Sequence, residues 1–398
     1  MNITKKTDSP ESPAPLGGPF QAGPVLTMAG GHFIHDIFGG FTSPLLPLII
    51  EKLDLSLTLA GSLVSFQQLP SLFNPFLGLL ADRSSLRWLV VLAPTVTAVV
   101  MSSIGLAPTY AALAILLLVA GVSSAAWHVP APVMVTQAAG QRVGQGMSFF
   151  MLGGELARTV GPLLAVGAVS WWGLEGMYRL IPLGVAASAI LYWRTRDLVA
   201  RPISRANGSW AETWRALRRV MLPIAGITVA RSFVVVSVTI YLPTFLASEG
   251  ASLLEAGGAL SVLELAGAAG ALASGTLSDR LGRRRVLLFV TLASPALMLL
   301  FVTVRGWAIF PALVGLGFVG LSINPVVMAL VQEYGRDHPA TANGLYMAIS
   351  FVGRSLITVA VGAMADRWGL RAAFQVSAWL GFVGLFFVLL LPRQAVER

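Results

Sequence analysis

The chain of 398 residues contains no cysteine, so it can form neither disulfides nor thiolate-ligated metal sites. Charged residues are also scarce: they make up 11% of the sequence, about half the usual share in soluble domains. The Gly-rich stretches lie inside apolar runs and lack the Lys and Ser or Thr of a phosphate-binding loop. The sequence therefore offers no nucleotide site, and any energy source would have to be an ion gradient.

Apolar residues dominate instead. They make up 56% of the chain, and the mean hydropathy is +0.77. Most apolar runs are long enough to cross a hydrocarbon core of roughly 30 Å as helices. The sequence predicts an all-α membrane protein with twelve transmembrane helices, at 27–50, 58–80, 87–106, 109–135, 143–170, 174–194, 219–246, 254–277, 285–304, 307–332, 341–365 and 371–392.

These helices divide the chain into two bundles of six, flanked by polar segments. The N-terminal segment is polar and Pro-rich and lacks an apolar core, so we predict a disordered tail rather than a cleavable signal. Between the bundles, Trp210 to Arg219 is predicted to form a short amphipathic helix on the anionic membrane surface. The predicted parts are a cytoplasmic tail (1–26), the first bundle (27–194), a basic cytoplasmic linker (195–218), the second bundle (219–392) and a second cytoplasmic tail (393–398).

The positive charge follows membrane topology. With a cytoplasmic N-terminus, the loops on the inner side carry nineteen of the 27 Lys and Arg residues, and those on the outer side carry five. This bias is typical of inner loops in bacterial cytoplasmic membrane proteins, and both termini are predicted to be cytoplasmic. The net charge of +9 is thus accounted for by basic loops on the inner side of the membrane, and we expect no nucleic-acid partner.

The chain also repeats itself. The stretch from Gly78 to Arg87 returns from Gly275 to Arg284, and both copies fit the pattern Gly-x-x-x-Asp-Arg-x-x-x-Arg. The sequence Trp-Gly-Leu at 172–174 likewise returns at 368–370. A duplication at half the chain length predicts two pseudo-symmetric bundles with the same topology.

The three remaining basic residues lie inside predicted helices, where inserting an arginine costs about 3 kcal/mol. They are Arg158, Arg231 and Arg354, and the same helices and their neighbours hold Asp36, Glu155 and Glu264.

Other polar side chains join these charges on predicted helix faces. His32, His35 and Asp36 share one face, because residues three and four apart are neighbours on a helix. The remaining candidates are Gln67, His128, Tyr241, Asn324 and Tyr346. Together these residues predict a polar cavity between the bundles. Structural roles stay open: the arginines could pair only with acids, and the histidines could bond only to helix carbonyls.

The doubled Gly-x-x-x-Asp-Arg-x-x-x-Arg pattern resembles the signature of the major facilitator superfamily. The segments His32 to Asp36, Ser123 to His128 and Ala342 to Gly344 resemble its fosmidomycin resistance branch of bacterial efflux proteins. The resemblance implies the major facilitator fold and alternating access around a central site. The repeated motif then implies an inner gate, formed by Gly78, Asp82, Arg83, Arg87, Gly275, Asp279, Arg280 and Arg284.

The resemblance favours a transporter and not an enzyme, without a cofactor or a bound metal and functional as a monomer. We expect export of a small anionic or amphipathic compound against proton entry. Its substrate would contact Arg158, Arg354, Arg231, His35, Gln67, His128, Tyr241, Asn324 and Tyr346, and protons would bind Asp36, Glu155, Glu264 and His32. The alternative is a proton-coupled importer of organic anions; a membrane enzyme or a non-transporting sensor has less support.

Overall fold

A computed structural model describes residues 18–74, 77, 86–198, 210–335 and 339–392, which are helical almost throughout and contain no strand. Helices satisfy their backbone hydrogen bonds internally, as a membrane interior requires. The first half contains α1 (Ala22–Gly39), α2 (Thr42–Leu53), α3 (Leu57–Gln68), α4 (Arg87–Ser102), α5 (Tyr110–His128), α6 (Ala131–Ala139), α7 (Val143–Trp172) and α8 (Ile181–Arg194). The second half contains α9 (Trp210–Ile240), α10 (Leu242–Ser248), α11 (Leu253–Leu281), α12 (Arg283–Thr303), α13 (Ile309–Gly320), α14 (Ile323–Tyr334), α15 (Pro339–Trp368) and α16 (Leu370–Leu390).

Breaks in the helices fall at matching places in the two halves. The first span of each half is interrupted between α1 and α2 and between α9 and α10, and the fourth between α5 and α6 and between α13 and α14. Prolines lie just beyond these breaks, at Pro44, Pro243, Pro132 and Pro325. Proline has no amide hydrogen and its ring clashes with the carbonyl four residues earlier, so it interrupts a helix at this point.

Nine segments of the described residues are long and apolar enough to cross a membrane. One of them, Tyr110–Trp172, has 63 residues and contains α5, α6 and α7, which is enough chain for two crossings of about 20 residues. The predicted helix 58–80 continues into residues that are not described, and α8 has only 14 residues. The all-α membrane fold is confirmed, while the number of twelve crossings stays a prediction.

Two predicted boundaries differ in the structure. Helix α1 begins at Ala22, earlier than the predicted start at 27, because the amide of Gln21 bonds to the carbonyl of Ala138 at 2.9 Å and anchors the chain there. Trp210 begins no separate linker helix: it opens α9, which continues to Ile240. Residues 1–17, 199–209 and 393–398, which complete the predicted tails and linker, lie outside the described residues.

An ion pair and its carbonyl partner occur in both halves, at the spacing of the sequence repeat. In the first half, Lys52 Nζ lies 2.6 Å from Glu175 Oε1 and also donates to the carbonyl of Gly105. In the second half, the guanidinium of Arg371 lies 2.6 Å from Glu249 Oε2 and also donates to the carbonyl of Val302. The corresponding positions are 196 or 197 residues apart, with the signs of the charges exchanged. The duplication is therefore visible in side-chain contacts as well as in sequence.

The last arginine of each repeated motif is used in the same way. Arg87 donates to the carbonyl of Tyr192, and Arg284 donates to the carbonyl of Leu389 at 3.1 Å. Both acceptors lie in the last turn of the final helix of their half, where carbonyls lack helical partners and cations are favoured. Each arginine thus ties the third predicted span of a bundle to the sixth.

We expect the pair of Lys52 and Glu175 to remain stabilising when its two charges are exchanged, because Glu249 and Arg371 form the corresponding pair with the signs reversed. Lys52→Glu should lower stability by about 0.2–1 kcal/mol, as removing an exposed pair does. Adding Glu175→Arg should restore the stability, because a guanidinium at this position can reach both the new carboxylate and the Gly105 carbonyl. Arg371 makes the same two contacts in the other half, with Glu249 and the Val302 carbonyl. Thermal unfolding in detergent measures the effect. The control combines Lys52→Glu with Glu51→Arg, which restores the net charge without restoring the ion pair. This control should not recover the lost stability.

The ion pair of Lys52 with Glu175 predicts that the stability of the protein depends on pH. The hydrogen bond from Lys52 holds the pKa of the Glu175 carboxyl below its usual range. A carboxyl with a lowered folded pKa stabilises the protein above its unfolded pKa, about 4.3 for glutamate, and loses this contribution as the pH falls through the folded value. The difference between wild type and Glu175→Gln should therefore be present at neutral pH and should vanish in acid. An equal difference at pH 7 and pH 3 would contradict the pairing.

Candidate functional site

The two halves share a hydrophobic core at one end of the molecule. We call this the outer end, since the charge bias assigns its connections, at residues 54–56, 249–252 and 369, to the outside. Here Leu46, Ala60 and Val64 of the first half belong to one buried cluster with Tyr241 and Phe245 of the second. At the opposite, inner end, the described residues form a separate cluster in each half. The halves are thus packed together at the outer end and have independent cores at the inner end.

Asp366, near the end of α15, closes the outer end by capping a helix of the other half. Its Oδ1 accepts the amide of Leu57 at 2.7 Å, and its Oδ2 accepts the amide of Thr58 at 2.9 Å and the Thr58 hydroxyl at 2.5 Å. These amides open α3, where the first donors have no helical partner and a negative charge is favoured. One carboxylate therefore satisfies the start of α3 only while the two halves are in contact.

Tyr241, predicted to bind substrate, lies instead in this outer contact. It is completely buried, and its hydroxyl donates towards the carbonyls of Thr358 at 2.8 Å and Leu57 at 3.2 Å. A side chain at Gly61 would clash with the tyrosine hydroxyl, so glycine at this position permits the close approach of α3. Ser43 adds a bond from its hydroxyl to the carbonyl of Thr239 at 2.6 Å. The tyrosine joins the halves because a buried hydroxyl needs an acceptor.

Below the outer end, an arginine bridges acids of both halves. Arg158 on α7 is paired with Glu155 one turn earlier, and its Nε lies 3.8 Å from Glu264 Oε2 on α11 of the second half. The side chain of Arg158 is 54% exposed and that of Glu264 15%. The arginine thus lies between two helices of different halves and keeps an exposed surface. The predicted charges therefore meet at the interface and are accessible there.

Two further arginines lie in the second half with neutral partners. Arg231 Nη1 donates to Asn324 Oδ1 at 2.9 Å, and Arg354 Nη2 donates to the Thr239 hydroxyl at 3.3 Å. The Nε of Arg354 is buried and has no hydrogen-bond partner among the described residues. Arg354 is in electrostatic reach of Glu264 and Arg158. This group of three arginines and two glutamates carries one positive charge in excess.

Asp36 does not neutralise that charge by a direct contact, because three histidines surround it. His32 Nε2 lies 3.1 Å from its Oδ2, and His35 Nδ1 and His128 Nε2 lie 2.8 and 3.5 Å from its Oδ1. Helix α1 presents His32, His35 and Asp36 on one face, as their spacing predicts, and α5 places His128 against them. The shared face of His32, His35 and Asp36 agrees with their predicted spacing, and the cluster that His128 completes lies entirely within the first half.

Of the remaining predicted polar residues, Gln67 and Tyr346 have structural contacts, and Asn324 lies beside Arg231. The amide of Gln67 is occupied: its Nε2 donates to the carbonyl of Gly39 at 3.1 Å, and its Oε1 accepts the Thr42 hydroxyl at 2.9 Å. It therefore holds the break between α1 and α2. Tyr346 is 7% exposed and belongs to the inner core of the second half, within electrostatic reach of Arg231. Asn324 remains next to the site through its bond to Arg231.

Within the described residues, the repeated motif makes no hydrogen bond or ion pair between the halves, and its role as an inner gate stays a prediction. Gly78, Asp82 and Arg83 lie outside the described residues. In the second copy, Asp279 is paired with Arg283 at 2.6 Å, and Arg283 also reaches Glu333 at 3.0 Å, so the network stays in one half. A side chain at Gly275 would have no described atom of another helix within 4 Å, so close helix approach does not explain this glycine. Arg280 is exposed.

Sequence reasoning missed the residues that close the outer end. Asp366 precedes the repeated Trp368-Gly369, but nothing in its neighbourhood indicates that it caps a helix about 300 residues away. Ser43 and Thr239 read as ordinary polar residues of apolar helices. Trp127 lies in the segment Ser123 to His128 but has no predicted role of its own; its ring stacks on His35 with 5.2 Å between centroids. A long-range partner leaves no local signal, so only the tertiary structure reveals these roles.

Comparison with known proteins agrees with this geometry. The model of the Major Facilitator Superfamily matches residues 28–358. The fosmidomycin resistance protein of Escherichia coli K12 is 22% identical over 368 residues, covering 90% of each chain. The multidrug resistance protein MdtG of Proteus mirabilis is 26% identical over 367 residues, 86% of this chain and 89% of its own. The crystal structure of a bacterial homolog of the human lysosomal transporter Spinster, inward-facing and occupied, superposes with a TM-score of 0.81 at 14% identity, covering 96% and 99% of the chains.

Removing the cap should loosen the outer end. Loss of a helix N-cap costs about 0.5–2 kcal/mol, so Asp366→Ala should favour separation of the halves at the outer end by about 2- to 30-fold. Because the chain has no cysteine, Ser65→Cys provides a single label at the contact of α3 with α15, where Ser65 bonds to the Ser355 carbonyl at 2.9 Å. Asp366→Ala should accelerate its reaction with a membrane-impermeant maleimide.

Glu255→Ala is the matched control for this experiment. Glu255 is also an acid at the outer end, but it caps its own helix through Ser252 and makes no hydrogen bond to the other half among the described residues. It should leave labelling at the wild-type rate. Equal acceleration by both variants would indicate general loosening of the fold and contradict a specific contact at Asp366.

Proposed function

The chain belongs to the major facilitator superfamily and is a multi-pass membrane transporter, and from this premise we propose that it exports small anions in exchange for protons. Export is supported by the names of two relatives, which describe resistance proteins of Escherichia coli and Proteus mirabilis. The anionic substrate, the proton coupling and the direction are parts of the proposal and are argued in turn from the residues at the interface of the halves.

An anionic substrate is supported above all by one nitrogen of Arg354. Arg354 presents a buried Nε–H that has no acceptor among the described residues, and leaving a charged donor unsatisfied is costly. Arg231, bonded to the neutral side chain of Asn324, adds a second cation without a carboxylate contact. A carboxylate or phosphonate bound between these guanidinium groups would supply the missing acceptors and neutralise the excess charge, since arginine suits the planar geometry of such anions.

Alternating access is supported by the different packing at the two ends. The shared core and the bonds of Asp366 and Tyr241 hold the outer end closed, while the inner end has a separate core in each half. We infer an inward-facing state, in which substrate reaches the arginines from the cytoplasm. The superposition on a transporter described as inward-facing and occupied fits this state.

Coupling to protons is supported by the ion pair that crosses the interface. Arg158, held by Glu155, attracts Glu264 of the other half at 3.8 Å. A substrate anion that binds Arg158 competes with Glu264, whereas a proton on Glu264 removes its charge. Either event weakens the same attraction between the halves, so each can permit one direction of the conformational change. The carrier would thereby exchange an outgoing anion for an incoming proton.

We place the protein in the bacterial cytoplasmic membrane with both termini on the cytoplasmic side. The proposal is supported by nineteen basic residues in loops on the inner side against five on the outer side. A single chain supplies both halves of the site, Arg158 from the first and Glu264 from the second. We therefore propose that the monomer is the transporting unit, surrounded by membrane lipid.

Transport in proteoliposomes tests the proposal. A panel of small organic anions, including fosmidomycin, is loaded, and proton movement is followed with an internal pH-sensitive dye. Arg354→Ala should weaken apparent anion affinity by about 10- to 100-fold, the loss expected when a charged hydrogen-bond donor is removed from a buried site. Glu264→Gln keeps the shape of the side chain but cannot titrate, so it should abolish anion-driven proton movement while retaining anion binding.

The matched control is Glu249→Gln, which removes a carboxylate of the same half from the outer-end ion pair with Arg371. It should retain proton coupling. Anion transport that is indifferent to a pH gradient in wild type would contradict proton exchange. Movement of anion and proton in the same direction, into right-side-out vesicles, would replace export by the importer alternative.

A further inference from the structure

The side chains around Asp36 form a second polar centre that the proposed anion exchange does not use. His32, His128 and Asp36 each offer one ligand atom, and these atoms all lie within 4.8 Å of one another. Two of them come from α1 and one from α5, so the centre is built by two helices of the first half. Among the described residues, the arginines of the proposed substrate site make no hydrogen bond or ion pair with it. Arg158 is in electrostatic reach of Asp36 and His128 without contacting them, so the centre has its own set of donor atoms.

The hydrogen bonds of the rings fix which nitrogen carries the proton. His32 Nδ1 lies 2.7 Å from the carbonyl oxygen of Phe150, and His128 Nδ1 lies 2.9 Å from that of Ser124. A carbonyl oxygen can only accept, so both Nδ1 atoms carry hydrogen and donate it. In the neutral form of each ring, the Nε2 atom must then hold a lone pair. Both of these lone pairs are directed at the carboxylate of Asp36, at 3.1 and 3.5 Å.

Two lone pairs facing a carboxylate repel it unless a proton or a metal cation lies between them. The combination of two imidazole Nε2 atoms and a carboxylate, with each Nδ1–H donated to a carbonyl, is the arrangement that first-row divalent metals prefer. We propose that His32, Asp36 and His128 bind one divalent transition-metal ion of the zinc class. In a tetrahedral zinc site, metal–ligand distances of about 2.1 Å place the ligand atoms about 3.4 Å from one another. The three atoms lie within 4.8 Å of one another, so a shift of less than about 1 Å by each atom closes the site.

The residues around the three ligands hold them in place. His35 Nδ1 lies 2.8 Å from Asp36 Oδ1 and donates to this carboxylate oxygen, while its ring stacks on Trp127. The ring of His32 stacks on Phe150 with 4.1 Å between centroids, and a side chain at Gly154 would collide with it. Such a second shell orients ligands and raises metal affinity, so the site is preformed for binding.

The ion can reach the site and exchange. The side chain of His128 is 40% exposed and that of Asp36 20%, whereas that of His32 is 5% exposed. Three protein ligands leave a coordination position open on the exposed side, as in exchangeable zinc sites and unlike closed structural ones. Since no ligand comes from the second half, the site should persist when the halves separate.

Cobalt spectroscopy and zinc titration of the full chain test the proposal. Tag-free protein, purified in detergent and treated with chelator, is titrated with Co²⁺ and followed by visible absorption, and with Zn²⁺ by calorimetry. We expect one ion per chain and cobalt bands from nitrogen and oxygen ligands. His128→Ala and Asp36→Asn should each weaken binding by about tenfold or more, and His35→Phe should weaken it less while the cobalt bands shift.

Glu51→Gln is the matched control, because it removes an exposed carboxylate of the same half outside the cluster. It should bind Co²⁺ like wild type, and Arg354→Ala should do so as well, which separates this inference from the proposed anion site. Wild-type protein that binds no Co²⁺ or Zn²⁺, as expected if only protons occupy the cluster, would overturn the proposal. So would wild-type affinity in His128→Ala. Thermal unfolding of each variant shows whether a loss of binding reflects loss of the fold.

Discussion

Charge in the middle of a membrane protein needs a partner or access to water, and this constraint organises the molecule. An arginine at mid-depth costs about 3 kcal/mol even on the lenient insertion scale. Arg158 meets the requirement by pairing with acids of both halves, and Arg231 by bonding to an amide. The acids and arginines therefore gather where the halves face each other. The space between the halves is the place in the fold where such side chains can be both enclosed and reached.

The frame is symmetric, and the polar centres within it are symmetric only in part. Ion pairs at the outer end and arginine–carbonyl bonds at the inner end recur in both halves at the repeat spacing. At mid-depth the first half holds a cluster of histidines around Asp36, while the second half holds Arg231 and Arg354. The contacts that support the bundles are alike in the two halves, and so are Arg158 and Arg354, which stand 196 residues apart. Arg231 and Asn324, in contrast, stand where the first half has His35 and His128, so the two centres differ in chemistry.

The outer contact is made of bonds that are individually weak. Hydroxyls of Ser43 and Tyr241 donate to carbonyls, and Asp366 accepts the amides that open α3. A typical net hydrogen bond contributes about 0.5–1.5 kcal/mol, and each of these groups can be satisfied by water when the halves part. A closure built in this way is specific in geometry yet reversible in free energy, as a carrier that alternates between two states requires.

The sequence alone determined that the chain lies in a membrane and that it is built from two like halves. Long apolar runs predict membrane helices, the doubled motif predicts two like halves, and spacing on α1 brings His32 next to Asp36. These features are local or periodic, and so they can be read from composition and register. The tertiary structure decided which half each charge meets: it paired Arg158 with Glu264, moved Tyr241 from the predicted site into the outer contact, and made Asp366 the cap of a distant helix. Those outcomes depend on how two bundles dock, and docking is set by packing between residues far apart in the chain, which leaves no periodic trace in the sequence.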